Sequence, residues 1–237
     1  MFNSLRGRSS PTAHTAEDAS TNKDKGESED DSIGVESIDQ YTRLLGVNMY
    51  NFEFFVLCEI LQPGTLGQIS RKEFVNGWKN QTRSPGVPLE PSMDEHKKFI
   101  RSRIQQLPRD PVLFKKVYRQ TFMSGKESHQ KAIPKEVAIT FWDELFSPTL
   151  RPWKTAKVDW LDAWERYLAD NWKRSVNKDM WNQTLEFAIK TMEDETLSFW
   201  TENQAWPGVI DDFVVWCREE GVVASPKKNA DGMEVDE

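Results

Sequence analysis

Residues 62–73 read QPGTLGQISRKE and follow the apolar helical stretch FEFFVLCEIL. A twelve-residue calcium loop of the helix-loop-helix kind takes oxygen ligands from positions 1, 3 and 5. It turns sharply on a glycine at position 6 and closes on a bidentate Glu at position 12. Here Gly67 is sixth, Ile69 eighth and Glu73 twelfth, but positions 1, 3 and 5 are Gln62, Gly64 and Leu66 and offer no carboxylate. Upstream, placing Ile33 eighth puts Gly26 first, Ser28 third, Asp30 fifth and Ser37 twelfth, so that loop lacks its first carboxylate and its closing Glu. The two matches are either chance or an EF-hand-like pair kept for packing, and in both cases no calcium, other metal or cofactor is expected.

Outward from this loop the spacing is helical. Val35, Ile38, Tyr41 and Leu45 recur at three- and four-residue steps, as do Phe99, Ile100, Arg103, Ile104 and Leu107, and Val158, Leu161, Trp164, Leu168 and Trp172. Ser70 with Glu73 and Ser92 with Glu95 have capping-box spacing. Pro111 and Pro134 read as first-turn prolines, and Asn177 as the cap of a helix bearing Met180, Trp181, Leu185, Ala188 and Met192. No sustained two-residue alternation is present, so strands should be few and short. The fold class predicted is all-α, a single compact multi-helix domain of about nine helices.

Its limits follow from composition. Residues 1–32 hold one aromatic, Phe2, and a polar run TAEDASTNKDKGESEDDS, too little apolar surface to offset ordering entropy. Residues 221–237, including SPKKNADGMEVDE, have the same character, which leaves 33–220 as the folded body. Nine of the ten Trp lie between Trp142 and Trp216, so the second half should hold most of the aromatic core.

The remaining composition removes whole classes of function. Cys58, Cys217, His14, His96 and His129 are too scattered for a zinc module or a disulfide scaffold, and both Cys sit in apolar helical contexts typical of buried thiols. A formal charge of −7 without a clustered basic face argues against nucleic acid. No run approaches the roughly 20 apolar residues of a membrane span, and the amino terminus lacks a secretory h-region. The expected location is the cytoplasm, the nucleus or both. GxSxG, Walker and GxGxxG motifs are absent, and the neighbouring acids Asp143 with Glu144 and Asp194 with Glu195 cannot face each other on a helix. No catalytic residue is assigned.

Two acidic sites stand out. In AWPGVIDDFVVW, residues 205–216, Pro207 opens a helix whose buried side is Val209, Ile210, Phe213, Val214 and Trp216, so at least one of Asp211 and Asp212 must face water. Asp179 lies similarly in RSVNKDMW. Acids near helix amino termini are stabilised by the macrodipole without any partner, which is the plain structural reading of both.

Taken in order, IGVESIDQY, GQISRKEFVNGW, KRSVNKDMWNQTLEF and AWPGVIDDFVVW resemble the potentiating-neddylation domain of the defective-in-cullin-neddylation family over about residues 30–218. The resemblance implies a non-covalent co-ligase, not an enzyme, that holds a cullin and a neddylation conjugating enzyme together. It implies a cullin-binding patch at Asp179, Ala205 and Asp211, with a small residue between two acids. It also implies an apolar pocket for the conjugating enzyme's acetylated amino-terminal Met at Ile38, Phe54, Leu57, Ile69 and Leu145. Ser124 and Glu144 depart from the family's pattern, which has Phe and Leu there. The partners implied are thus a cullin, the conjugating enzyme and the ubiquitin-like modifier, with no nucleic acid and no membrane, and the chain is expected to be a monomer. The alternative is an EF-hand-like helical adaptor, calcium-free, for a different partner.

Overall fold

The computed structural model describes residues 31–127, 129–201, 203 and 205–224. The tail assignments for 1–30 and 225–237, and the loop ligands Gly26 to Asp30, lie outside the described residues. In the rest the chain forms nine helices and three short antiparallel strand pairs.

Strand β1 (Ser32–Gly34) leads into α1 (Val35–Leu45), which ends where Gly46 takes a left-handed φ of 74° and the Val47 amide returns to Thr42 O at 2.9 Å. Helix α2 (Phe52–Leu61) is apolar on every side and nearly wholly buried, so it forms the axis of the first half. Asn51 caps its Glu53 amide, and Glu144 Oε2 accepts from the Phe52 amide at 3.2 Å. The sharp turn expected at Gly67 falls elsewhere. Gln62, closing α2, takes the left-handed φ of 53°, whereas Gly67 is not in that region.

Strand β2 (Gln68–Ser70) then pairs antiparallel with β1, Ile69 directly opposite Ile33. These are the two residues placed eighth in their loops, so the two loops are paired through their short strands. Helix α3 (Arg71–Lys79) starts on the expected capping box: Ser70 Oγ accepts from the Glu73 amide at 3.2 Å, and Glu73 Oε2 accepts from the Ser70 amide at 2.7 Å. Glu73 Oε1 also accepts from the Gly64 amide at 2.9 Å. The carboxylate that would close on calcium thus closes the loop on backbone amides. Gly77 of α3 lies so close to α2 that a Cβ would fall 2.7 Å from Ile60 O, which fixes that helix crossing.

A hairpin, β3 (Thr82–Ser84) with β4 (Val87–Pro88), leads to α4 (Met93–Gln106) and α5 (Pro111–Gly125). Ser92 caps α4, but Glu95 spends its side chain on Arg83 and Lys98, so only half the expected box forms. Pro111 opens α5 under an Asp110 cap, as its position predicts. Pro134 stands one residue outside α6 (Lys135–Leu145), a position before the first turn. Strand β5 (Ala132–Ile133) pairs with β6 (Val176–Asn177) and brings the start of α6 beside that of α8 (Lys178–Glu193). Helices α7 (Trp160–Asn171) and α9 (Gly208–Glu219) complete the second half. The packed body extends past 220, because Val222 and Val223 fold back on the Cys217 carbonyl and Val223 joins the core.

Tyr118 of α5 ties three helices. Its hydroxyl donates to Trp181 O at 2.8 Å and accepts from Trp142 Nε1 at 2.8 Å, while Trp181 Nε1 donates to the Tyr118 carbonyl at 2.9 Å. All three side chains are fully buried, with Tyr118 and Trp142 stacked on Trp181 at centroid separations of 4.5 and 5.2 Å. Removing the hydroxyl orphans a buried indole N–H and takes the additional side-chain hydrogen bond from the Trp181 carbonyl, which lies within α8. Tyr118→Phe is therefore expected to lower unfolding free energy by about 1–3 kcal/mol, read as an earlier urea midpoint at unchanged m-value.

Candidate functional site

Both acidic sites lie on first helical turns. Val176 is buried in the β5–β6 pair, Asn177 Oδ1 caps the Met180 amide at 2.8 Å, and Asp179 is thereby placed exposed on the first turn of α8. Ala205 is exposed two residues before Pro207, the cap of α9, and Asp211 lies on that helix's first turn. Asp212 faces water and Asp211 is half-buried, as the argument that both could not be buried requires. The macrodipole favours a negative charge at each position.

The chain leaves α8 through a hydrogen-bonded turn. Asp194 accepts four hydrogen bonds, from the amides and hydroxyls of Thr196 and Ser198, at 2.5–2.9 Å. The Ser198 hydroxyl, then that of Thr196, hold its carboxyl well below the usual range. Leu197 takes a left-handed φ of 58° with its side chain wholly buried. From there the chain delivers Trp200, whose Nε1 donates to Asp211 Oδ1 at 2.8 Å while Arg218 sits 4.8 Å from its ring centroid. Sequence reading missed Trp200, because nothing in local spacing reveals a contact across eleven residues and a loop.

The five residues assigned to an apolar pocket, Ile38 of α1, Phe54 and Leu57 of α2, Ile69 of β2 and Leu145 of α6, are all buried at 4% exposure or less in the core. Both departures from the family pattern have local roles. Ser124 is buried, donates to Pro63 O at 3.1 Å and accepts from Gln120 Nε2 at 3.0 Å, whereas Glu144 caps α2.

Both thiols are tuned away from nucleophilic chemistry, and the adjacent acids are drawn to different partners. Burial pushes the Cys58 and Cys217 thiols up to about 12, far from the thiolate that nucleophilic chemistry needs. The adjacent acids diverge as expected: Asp143 lies beside Glu165 whereas Glu144 caps α2, and Asp194 holds its turn whereas Glu195 pairs with Lys157. Among the described residues no group of three or more His, Cys, Asp or Glu could hold a metal ion, and no helix is long and apolar enough to cross a membrane.

Fold and site together define an all-α, EF-hand-like domain with acids on the first turns of two helices. A family model described as cullin binding matches residues 95–216, from α4 into α9. "Defective in cullin neddylation protein 1" of Pyricularia oryzae is 42% identical over 224 residues, covering 90% of this chain and 76% of the relative. The protein of the same name from Yarrowia lipolytica is 28% identical over 189 residues, 80% of this chain and 72% of its own. "DCN1-like protein 3" of Homo sapiens is 28% identical over 191 residues, 79% of this chain and 57% of its own. The chain belongs to the defective-in-cullin-neddylation family.

One carboxyl gives a pH dependence. Burial, and then the Asp143 carboxyl beside it, with Asp162 and Asp159 contributing less, push Glu165 up to about 8, and its Oε1 is buried without a hydrogen-bond partner. The fold therefore binds this proton more tightly than the unfolded chain. The stability it contributes is full below about pH 4.5 and is lost as pH rises toward about 8. Glu165→Gln should flatten that loss. Its melting midpoint should overtake wild type progressively from about pH 5 to 8, measured by circular dichroism across that range.

Proposed function

We propose that this protein promotes cullin neddylation as a non-covalent co-ligase, binding a cullin and the neddylation conjugating enzyme on one rigid body. The observation that carries the reading is that the cullin-binding match spans the stretch holding Asp179, Ala205 and Asp211. Two acids flanking a small residue suit a basic partner surface: the charges attract it, and Ala205 lets the backbones approach.

The transfer itself asks little of this chain. A cullin lysine amine attacks the thioester carbonyl on the conjugating enzyme, the C–N bond forms, and the carrier's cysteine leaves as thiol. Neither thiol here is suited to carry that thioester, being buried and pushed up to about 12. What the protein contributes is placement. Tethering both partners makes their encounter intramolecular and restricts its geometry, which raises rate without a new catalytic group.

The conjugating enzyme's acetylated amino-terminal Met is assigned to Ile38, Phe54, Leu57, Ile69 and Leu145. Because each is buried in the free protein, capture requires local opening of the core, and apparent affinity falls by the fraction open. The protein is assigned as a monomer acting in the cytoplasm, the nucleus or both.

Reconstituted cullin modification tests the reading. Added protein should accelerate transfer of the ubiquitin-like modifier to the cullin. Asp179→Ala, Ala205→Arg, Asp211→Asn combined should keep the helical signal and the Trp200 acceptor yet weaken cullin binding about thirtyfold or more. Methyl signals of Ile38, Leu57, Ile69 and Leu145 should shift with an acetylated amino-terminal peptide in this variant as in wild type. Near wild-type cullin affinity in the folded variant would sink the assignment.

A further inference from the structure

Asp211 is not a freely rotating surface acid. Its Oδ1 accepts from Trp200 Nε1 at 2.8 Å, while Oδ2 has no hydrogen-bond partner among the described residues. Trp200 is 8% exposed, so its donor is largely shielded from competing water. Its place is over-determined. The Trp200 amide donates to Leu197 O at 3.1 Å, Leu197 is locked in a left-handed conformation by a buried side chain, and Asp194 gathers the turn through four hydrogen bonds. A non-glycine residue persists in that backbone region only where its surroundings enforce it.

The chemistry of the donor matters. An indole N–H fixes a carboxylate without neutralising it, whereas a cationic donor would compete with an incoming base. The neighbouring cation, Arg218, lies 4.8 Å from the ring centroid, on the indole instead of the carboxylate. Positive charge over the ring draws electron density from it and makes the N–H a better donor.

We propose that Trp200 is a positioning residue of the docking surface: it holds Oδ1 of Asp211 so that the second oxygen, still charged, is presented in one orientation to a basic side chain of the partner. This rests on the cullin reading of Asp211. The gain comes from preorganisation, since a carboxylate already held in its bound rotamer loses less freedom on binding.

The test is a double-mutant cycle on the full chain with a purified cullin. Trp200→Phe keeps an aromatic ring beside Arg218 but removes the N–H donor together with one of the two fused rings, so the packing loss must be separated from the loss of the donor. It should weaken binding about fivefold, and that loss should vanish in an Asp211→Ala background, which a general loss of folding would not produce. In wild-type protein the Trp200 indole N–H resonance should shift when cullin is added to saturation. If wild type binds cullin but Trp200→Phe stays within twofold of it, or loses as much with Asp211 already removed, the inference falls alone. An indole resonance unmoved in the saturated complex overturns it equally, even should the Phe variant fail to fold. If wild type does not bind cullin, the cullin reading falls and takes the inference with it.

Discussion

The hydrogen-bonded aromatic cluster of Tyr118, Trp142 and Trp181 constrains everything around it. A buried indole or phenol is tolerated only when its polar atom is satisfied, and here each satisfies another. Tyr118 spends its hydroxyl as donor and acceptor at once, and its carbonyl takes the Trp181 N–H. Helices α5, α6 and α8 are thereby fixed in rotation as well as in distance, because a slip of one residue would strand several polar atoms. The rotation of α8 determines where Asp179 faces, and that of α6 determines that Glu144 reaches the start of α2 and Asp143 reaches Glu165.

The first half solves a different problem. Its loop has the length and paired strands of a calcium site without the oxygen ligands that a cation would gather. Glu73 takes over the closing role. One oxygen takes the Gly64 amide and the other the Ser70 amide, so a side chain of the protein ties the loop that a cation would otherwise gather. The pairing of Ile33 with Ile69 joins the two loops and buries Ile69. The functional cost is that the apolar residues assigned to peptide capture are sealed in the same core.

The two acids, Asp179 exposed and Asp211 half-buried, have a local cause and, for Asp211, a long-range one. Each occupies a first helical turn, where dipole and cap make a charge inexpensive. Of the two, Asp211 is also held from a distance, by the Trp200 indole that follows the turn gathered by Asp194. The two acids thus differ in preparation: Asp179 is a charge on a cap, and Asp211 a charge with a fixed orientation.

Local periodicity and composition determined the helical class, the capping box at Ser70, the first-turn proline at Pro111 and the cap at Asn177, because these depend on residues within a few positions of one another, whereas the two loop matches stayed open until Ile33 was found opposite Ile69. Burial of both cysteines was legible for the same reason. The exposure of one aspartate in residues 211–212 followed from the cost of burying two. Other features required the tertiary structure. The left-handed turn fell on Gln62 instead of Gly67 because the end of α2, not loop consensus, sets where the chain reverses. Glu95 left its box for Arg83, a partner twelve residues away. Glu144 became a cap for α2 across 92 residues, and Trp200 a support for Asp211, since hydrogen bonds between distant segments exist only once packing has brought the segments together.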